Sequence, residues 1–348
     1  MINENCTSIQ WISEISSKKK ADKGLVQKLI RALMLLEGLS ESNLNFVFKG
    51  GTALMLLLNS TKRLSIDIDI IVSKEVEDIE ELLADIATKK GFSRVDPQQR
   101  KANSIIEKAH YKFYFPCSIK AGNEEFVLLD ILFEEIRYSK LISTPIESSF
   151  VTHKGVILQV STPDFNNIMG DKLTAFAPNT TGIPYFKEKK SMGQEIVKQL
   201  YDVGNIFEHI DNVAEVKSVF TNLAKVELNY RDMSGDVNIV FDDIVENCLS
   251  ICLREQVGQT NFEVLQLGLK QITDYIFSES YHIEKAITHA ARTAYTIALM
   301  KTETSIQRYS NRIDMTKWLI ELPNNPRLNK LKKTNPEAFY YWYMFYNL

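Results

Sequence analysis

Two hydrophobic periods alternate along the first part of the chain. Apolar residues recur every three to four positions between residues 21 and 39, which predicts an amphipathic helix ending near Gly38. Residues 45–51 form a β-rich run that ends at two glycines, and the apolar run at 52–58 predicts a buried helix. This stretch therefore predicts a strand, a tight turn and a helix.

A second strand is predicted at residues 64–72, where polar and apolar residues alternate with a period of two. Asp67 and Asp69 are expected to share one face of that strand. A charged helix is predicted next, at 74–90. Further β-rich runs lie at 110–116, 126–133 and 155–160. These elements together predict a mixed sheet with flanking helices.

The pattern changes at Thr162 and Pro163. Thr162 is a good helix cap and Pro163 suits the first helical position, so a helix is predicted from there through Phe176. Residues 178–193 contain several prolines and glycines and are predicted to form a loop.

Helical periodicity dominates residues 193–310. The strongest helical stretches are 193–209, 211–228 and 280–300. The aromatic segment 338–348 is predicted to pack into the core. The whole pattern predicts an α+β fold, with a sheet domain at 1–162 and a helical domain at 163–348.

Composition excludes some classes of protein. The formal net charge is -3, so the chain is not a dedicated polyanion binder, and nucleic acid would have to contact local basic patches. The four cysteines show no paired spacing, which predicts reduced thiols. Because no apolar stretch is long enough to span a bilayer, we expect a cytoplasmic protein without a membrane partner.

The acidic pair Asp67 and Asp69 is the first sign of chemistry. Two like charges on one strand face are costly unless a cation lies between them, and carboxylates suit hard divalent ions such as Mg²⁺. The alternative is a solvent-facing strand that carries acids only because it is wet. The preceding Gly50, Gly51 and Thr52 open a helix, where backbone amides and a hydroxyl can bind phosphate.

Asp130 is the predicted third carboxylate. It is the single charge within the apolar run 126–133, where an unpaired charge would be costly. We therefore expect it to complete a two-metal site with Asp67 and Asp69. The alternative is a strand-end residue held by a turn or a basic group.

These motifs resemble a known family. Lys49–Leu54 (KGGTAL) followed by Arg63–Asp69 (RLSIDID) is similar to the nucleotidyltransferase family of AbiEii/AbiGii-type toxins, which has a polymerase β-like fold. Gly170–Phe176 resembles its helical lysine motif, and Lys198–Val203 its (R/K)-D-x-x-D motif. The similarity covers roughly residues 46–207.

The resemblance implies roles for further residues. Lys172 would help to hold the nucleotide phosphates, and Lys198 and Asp202 of the helical domain would complete the active-site groove. Four residues apart on a helix, Lys198 and Asp202 also match an ordinary stabilising pair. Gln199 departs from the family, which commonly has an acidic residue there.

Two residues near the acidic pair have open roles. Arg63 and Ser65 shape the turn before the strand, or Arg63 reaches a phosphate. Both are included among the predicted nucleotide-binding residues.

The predicted function is Mg²⁺-dependent transfer of a nucleoside monophosphate from a nucleoside triphosphate to an acceptor hydroxyl. The resemblance implies a toxin of a bacterial or phage-defence toxin-antitoxin system, with the tRNA acceptor end as target and a separately encoded antitoxin. The alternatives are transfer to a protein or a small molecule, or a catalytically silent nucleotide-binding module.

Overall fold

The computed structural model describes residues 1–348 except 60–61, 74–77, 99–106, 234 and 278, and the side chain of Glu107. The chain forms two compact units. The first contains Met1–Asp164 and Asp274–Ser280, and the second contains Phe165–Thr273 and Tyr281–Leu348. The sequence-based boundary after residue 162 lies beside this division, but the return of Asp274–Ser280 to the first unit was not predicted.

A five-stranded mixed sheet organises the first unit. Its strands are β1 (Val47–Lys49), β2 (Ile68–Val72), β3 (Arg94–Pro97), β4 (Glu107–Pro116) and β5 (Glu124–Phe133). They lie in the order β1-β2-β5-β4-β3; β2 and β5 are parallel and the other neighbours are antiparallel. A separate pair consists of β6 (Leu141–Pro145) and β7 (Gln159–Pro163). The predicted mixed sheet is confirmed.

Four α-helices accompany these strands in the described part of the first unit. They are α1 (Ile9–Lys19), α2 (Lys23–Glu41), α3 (Gly50–Leu58) and α4 (Ile79–Lys89). The Asp22 side chain accepts a hydrogen bond from Leu25 N and so caps α2. Gly38 does not end that helix as predicted, because it serves packing: a Cβ there would lie 2.6 Å from Ile86 Cγ2 of α4.

The sheet register separates an apolar face from a polar one. Phe48, Ile70 and Ile131 are register partners and are fully buried in the core of the first unit. Paired residues of neighbouring strands share a face, and the face alternates with each residue along a strand. The adjoining row on the side of the Gly50 turn therefore lies on the opposite face, and its residues are only partly buried: Lys49, Asp69, Asp130 and His110.

The second unit is helical, as predicted. Its elements are α5 (Phe165–Ala175), the hairpin β8 (Phe186–Lys187) and β9 (Lys190–Ser191), α6 (Gly193–Ile206), α7 (Val213–Tyr230), α8 (Asn238–Leu253), α9 (Phe262–Gln271), α10 (Ile283–Thr302), α11 (Leu331–Thr334) and α12 (Pro336–Asn347). Phe339 and Trp342 of α12 are fully buried, which confirms that the aromatic segment packs into the core. Cys248 and Cys252 are buried on α8, and all four cysteines are free.

Several predicted boundaries were wrong. Thr162 does not cap a helix: it lies in β7, where its hydroxyl is 2.6 Å from that of Thr144. Pro163 ends this strand, and α5 begins at Phe165. Pairing with an unpredicted strand, β6, therefore overrides the local capping pattern.

The predicted strand and helix around the acidic pair also need adjustment. The strand predicted at 64–72 begins only at Ile68, and of the helix predicted at 74–90 the structure describes Ile79–Lys89, while 74–77 lie outside the described residues. No helix in the described ranges is long and apolar enough to cross a membrane.

Candidate active site

Four polar side chains form one row across the sheet. Lys49 is the register partner of Asp69, Asp69 of Asp130, and Asp130 of His110, on the neighbouring strands β1, β2, β5 and β4. Register partners project to the same face, so two carboxylates lie side by side with a basic residue at each end. The structure thus brings Asp69 and Asp130 together, although two further strands and a helix separate β2 from β5 in the sequence.

The glycine turn lies against this row. Gly50 has φ +81°, and a Cβ built on it would lie 2.1 Å from Asp69 Oδ2. Only glycine adopts this conformation without strain and leaves room for the carboxylate. Gly51 is similarly close to its neighbours: a Cβ there would lie 2.7 Å from both Arg63 Nη2 and Ser65 Oγ. The two predicted motifs therefore meet in space.

Thr52 connects the same two motifs through a hydrogen bond. Its side chain is fully buried, and its hydroxyl donates to the Asp67 carbonyl oxygen at 2.7 Å. Asp67 immediately precedes β2, so this bond holds the backbone from which its carboxylate projects. The Thr52 hydroxyl thus donates its hydrogen bond within the protein. That Thr52 contacts a phosphate stays a prediction, and its backbone amide is the group that could make this contact.

Arg63 and its neighbours are held by the segment that returns from residue 274. Leu64 N donates to Tyr275 O, and Phe277 N donates to Lys62 O, both at 2.8 Å. Arg63 itself is buried and forms a β-bridge with Ile276. The RLSIDID motif therefore begins in backbone pairing with a distant part of the chain, which its local pattern did not indicate.

His110 was missed by the sequence analysis. Its Nδ1 lies 2.6 Å from Asp130 Oδ1. Asp130 therefore has a basic partner, as the alternative interpretation proposed, and the argument that a metal must offset its charge is correspondingly weaker. Only the strand register places His110 here, since nothing in its local sequence marks it.

The carboxylates fit Mg²⁺ by their chemistry but do not form a ready three-ligand cage. Among the residues that the structure describes, no three His, Cys, Asp or Glu side chains are arranged so that they could hold a metal ion. Mg²⁺ in phosphate-transfer sites is commonly held by one or two carboxylates, and substrate phosphates and water complete its shell. The register pair Asp69 and Asp130 meets that requirement, and the third ligand, Asp67, stays a prediction.

A lysine cluster occupies the second unit. Lys172 Nζ of α5 lies 2.9 Å from Asp202 Oδ2 of α6 and 3.1 Å from Gln199 Oε1, to which it donates. The Lys172 and Asp202 side chains are 9% and 1% exposed. Gln199 therefore supplies an acceptor to the lysine without a second negative charge. Although Gln199 replaces the acidic residue that is common in the family, the contact with Lys172 is kept.

Lys198 of α6 has a different carboxylate beside it. Its Nζ lies 3.0 Å from Glu195 Oε1, one helical turn earlier. Asp202 is beside Lys172, so the structure supplies a tertiary partner for this aspartate beyond the intrahelical pair that spacing suggested. The catalytic roles of Lys198 and Asp202 stay predictions.

His289 of α10 packs next to the lysine cluster within the second unit. A Cβ on Gly204 would lie 2.1 Å from His289 Cγ, and His289 Nδ1 is 3.2 Å from the Tyr281 hydroxyl. Burial, together with the charges of Arg292 and Lys285, lowers the pKa of His289 to about 3, and Asp202 acts in the opposite direction. The ring is therefore neutral near pH 7 and supports α6 as a packing residue.

The mixed sheet with its carboxylate row and the helical unit with its buried lysine give the chain an α+β architecture. The sequence model of the family described as "Nucleotidyl transferase AbiEii toxin, Type IV TA system" matches residues 34–274, more than half of the chain. The chain belongs to this family of nucleotidyltransferase toxins. The match spans the glycine turn, the carboxylate row and the lysine cluster.

The solved structures that match this chain share little sequence with it, and their TM-scores are below 0.5. A putative nucleotidyltransferase from Helicobacter pylori is 12% identical with a TM-score of 0.45, over 81% of this chain and 97% of that one. MenT4, a nucleotidyltransferase toxin from Mycobacterium tuberculosis H37Rv, is 12% identical with a TM-score of 0.46, over 82% and 88%. No match was found among curated proteins.

Proposed function

We propose that the protein transfers a nucleoside monophosphate from a nucleoside triphosphate to a hydroxyl at the acceptor end of tRNA. The observation that carries this proposal is the register pair of Asp69 and Asp130 beside the Gly50 turn. A glycine turn that opens a helix offers backbone amides to phosphates, and adjacent carboxylates offer oxygen ligands to a cation. Nucleotidyl transfer requires both.

The transfer is a displacement at phosphorus. The acceptor oxygen forms a bond to the α-phosphorus, the bond from this phosphorus to the bridging oxygen of the β-phosphate breaks, and pyrophosphate leaves. Asp130 receives the proton of the acceptor hydroxyl. Gly50, Gly51 and Thr52 hold the β and γ phosphates through backbone amides, and Arg63 and Ser65 support that turn.

The proposed cofactor is Mg²⁺, held by Asp67, Asp69 and Asp130. When bound, it supplies positive charge to the phosphates and to the attacking oxygen. In the strand register the two central carboxylates are flanked by Lys49 and His110. Flanking basic groups reduce the repulsion between adjacent carboxylates, and so favour a preformed pair.

Lys172, Lys198 and Asp202 complete the proposed machinery. In this proposal Lys172 offsets phosphate charge, Asp202 holds the lysine ammonium in place, and Lys198 contacts the nucleotide. The observation that supports it is the near-complete burial of the Lys172 and Asp202 pair. Burial of a charged pair costs desolvation energy, so the pair is weak evidence for a purely stabilising role, and a role in the reaction gives a reason to keep it.

The proposed biological setting follows from the family, whose description names a type IV toxin-antitoxin system. We expect a separately encoded antitoxin to oppose the activity, a role in bacterial or phage defence, and action in the cytoplasm, where tRNA is found. Growth arrest on expression of the chain, relieved by a co-expressed neighbouring gene product, is the expected cellular result.

The test is direct labelling. The pure protein is incubated with Mg²⁺, total tRNA and each of the four nucleoside triphosphates labelled at the α-phosphate. We expect label on RNA with the parent protein and none with Asp69→Asn. Asp96→Asn, which changes an aspartate of the same sheet outside the carboxylate row, is the matched control and is expected to keep activity.

The other outcomes decide between the alternatives. Label on protein or on a small molecule would replace tRNA as the acceptor while leaving nucleotidyl transfer in place. The absence of label with all four triphosphates would favour a silent nucleotide-binding module. Equal labelling by the parent and a folded Asp69→Asn variant would contradict the assignment of the site.

A further inference from the structure

The contact between His110 and Asp130 fixes the orientation of one carboxylate. His110 Nδ1 lies 2.6 Å from Asp130 Oδ1, and the two side chains are only 13% and 28% exposed. An ionised carboxylate accepts hydrogen bonds and donates none, so the ring must donate its Nδ1 proton. The contact therefore uses Oδ1 and leaves Oδ2 as the Asp130 oxygen that is not held by the ring.

Strand pairing does not depend on this side-chain contact. β4 and β5 pair along their length from Glu107 opposite Phe133 to Pro116 opposite Glu124, through backbone hydrogen bonds. The buried partners on the opposite face, such as Phe113 and Val127, supply the apolar packing of the same pair. The His110 imidazole is thus available for a role on the polar face.

We propose that His110 is a positioning residue, which holds the Asp130 carboxylate so that Oδ2 is presented to the divalent cation. This inference rests on the proposed function, because it concerns the same metal site. Outer partners that hydrogen-bond a metal-ligating group orient it, and their loss typically weakens metal binding about 10- to 100-fold. His110 itself is no ligand in this proposal, since its Nδ1 proton is donated to Asp130.

The experiment measures Mn²⁺ binding to the apo protein by calorimetry, without nucleotide. His110→Leu removes the donor. His110→Asn places an amide nitrogen near the position of Nδ1, whereas His110→Gln carries it toward the position of Nε2, so the two polar variants differ mainly in where the donor lies. Lys112→Met changes a residue of the same strand and face that packs over Phe126, and is the matched control.

We expect the Leu and Gln variants to bind Mn²⁺ about 10- to 100-fold more weakly. The Asn variant should bind within a few-fold of the parent, and Lys112→Met should be unchanged. In the labelling assay, the Mg²⁺ concentration for half-maximal rate should rise by the same factor for Leu and Gln, and saturating Mg²⁺ should restore kcat. Gln keeps the test valid where Leu fails to fold.

The failures of this inference and of the proposed function are distinguishable. Parental Mn²⁺ affinity in folded Leu or Gln variants, with binding lost in Asp69→Asn, would overturn the role of His110 alone. A parent protein that binds no Mn²⁺ would overturn the metal site and, with it, this inference. Equal weakening in the Asn and Gln variants would show that the donor position does not matter and would also overturn it.

Discussion

The backbone of Gly50 lies directly against the carboxylate of Asp69. A Cβ on Gly50 would be 2.1 Å from Asp69 Oδ2, and the backbone at this residue has φ +81°. Two separate requirements therefore meet at one position, since the left-handed conformation and the lack of space each favour glycine. The first residue of α3 and the start of β2 are therefore shaped for each other.

Gly50→Ala is expected to destabilise the protein and disturb the site. The backbone conformation alone should cost about 1 kcal/mol. The clash with Asp69 should add about 1 to 3 kcal/mol, as overpacking does elsewhere. Gly122→Ala is the matched control, because Gly122 has φ +83° and an added methyl group there would meet no atom within 4 Å.

Urea unfolding of both glycine variants measures the difference. We expect Gly122→Ala to lose only the conformational part and to retain nucleotidyl transfer. Equal losses of unfolding free energy in the two variants would mean that the Asp69 carboxylate moves aside at no cost, contrary to the proposed fit.

Variants of Thr52 test whether its hydroxyl positions the Asp67 backbone or binds a phosphate. Its hydroxyl is buried and donates to Asp67 O, so Thr52→Val should lower the free energy of unfolding by about 1 to 3 kcal/mol, whereas Thr52→Ser keeps the donor. Chemical denaturation combined with the KM for the triphosphate provides the measurement. A Val variant of parental stability with a raised KM would instead indicate a hydroxyl that binds phosphate.

Local pattern was sufficient for the elements that pack by simple periodicity. The helix containing Leu33, the strand containing Asp69 and the apolar strand around Asp130 all follow from spacing, because a buried stripe or alternating face recurs at a fixed period. The glycine turn was also predictable, since both glycines interrupt two apolar runs. Such features depend on neighbours in sequence.

The remaining features depend on distant pairing. His110 meets Asp130 only through the β4 and β5 register, and Tyr275 meets Leu64 only because a segment after α9 returns to the first unit. At Thr162 the local pattern was misleading: the residue is a favourable helix cap, but it lies in a strand that pairs with the strand of Thr144. Register and chain return are tertiary properties, which local sequence patterns do not reveal.

The Lys172 and Asp202 pair supports a double-mutant cycle. Lys172→Met leaves the almost fully buried Asp202 carboxylate without its ammonium partner, and Asp202→Leu leaves the Lys172 ammonium without its carboxylate partner. Each change should lower the free energy of unfolding by about 3 to 5 kcal/mol. The double variant should recover much of that loss, because no unpaired charge remains. Urea unfolding measures the coupling.

The nucleotidyl-transfer activity of the same Lys172 and Asp202 variants is the second measurement. We expect all three variants to lose transfer if Lys172 acts on the nucleotide and Asp202 holds its ammonium in place, including the double variant that regains stability. A stable double variant with parental kcat and KM would reduce the pair to a structural role. Lys198→Met, in contrast, should cost less stability than either change to the pair, because its Glu195 partner is 40% exposed and their attraction is screened by solvent.

His289 should make the protein sensitive to mild acid. Its pKa is lowered to about 3 by burial, whereas an unfolded histidine has a pKa of about 6.5. The folded-state pKa is depressed, so the unfolded chain takes up the proton first as the pH falls. The stability present above about pH 6.5 is therefore lost progressively between about pH 6.5 and 3, by up to about 1.4 kcal/mol per pH unit.

The free energy of unfolding is compared at pH 7.5 and 5.5, a range in which ordinary carboxylates stay largely ionised. The parent should lose about 1 kcal/mol more over this interval than His289→Asn, which places an amide near the Tyr281 hydroxyl but carries no titrating group. His282→Asn changes an exposed histidine at the start of the same helix and should keep the parental slope. A parental slope in His289→Asn would locate the acid sensitivity in other groups, and would mean that the buried ring is protonated without cost to the fold.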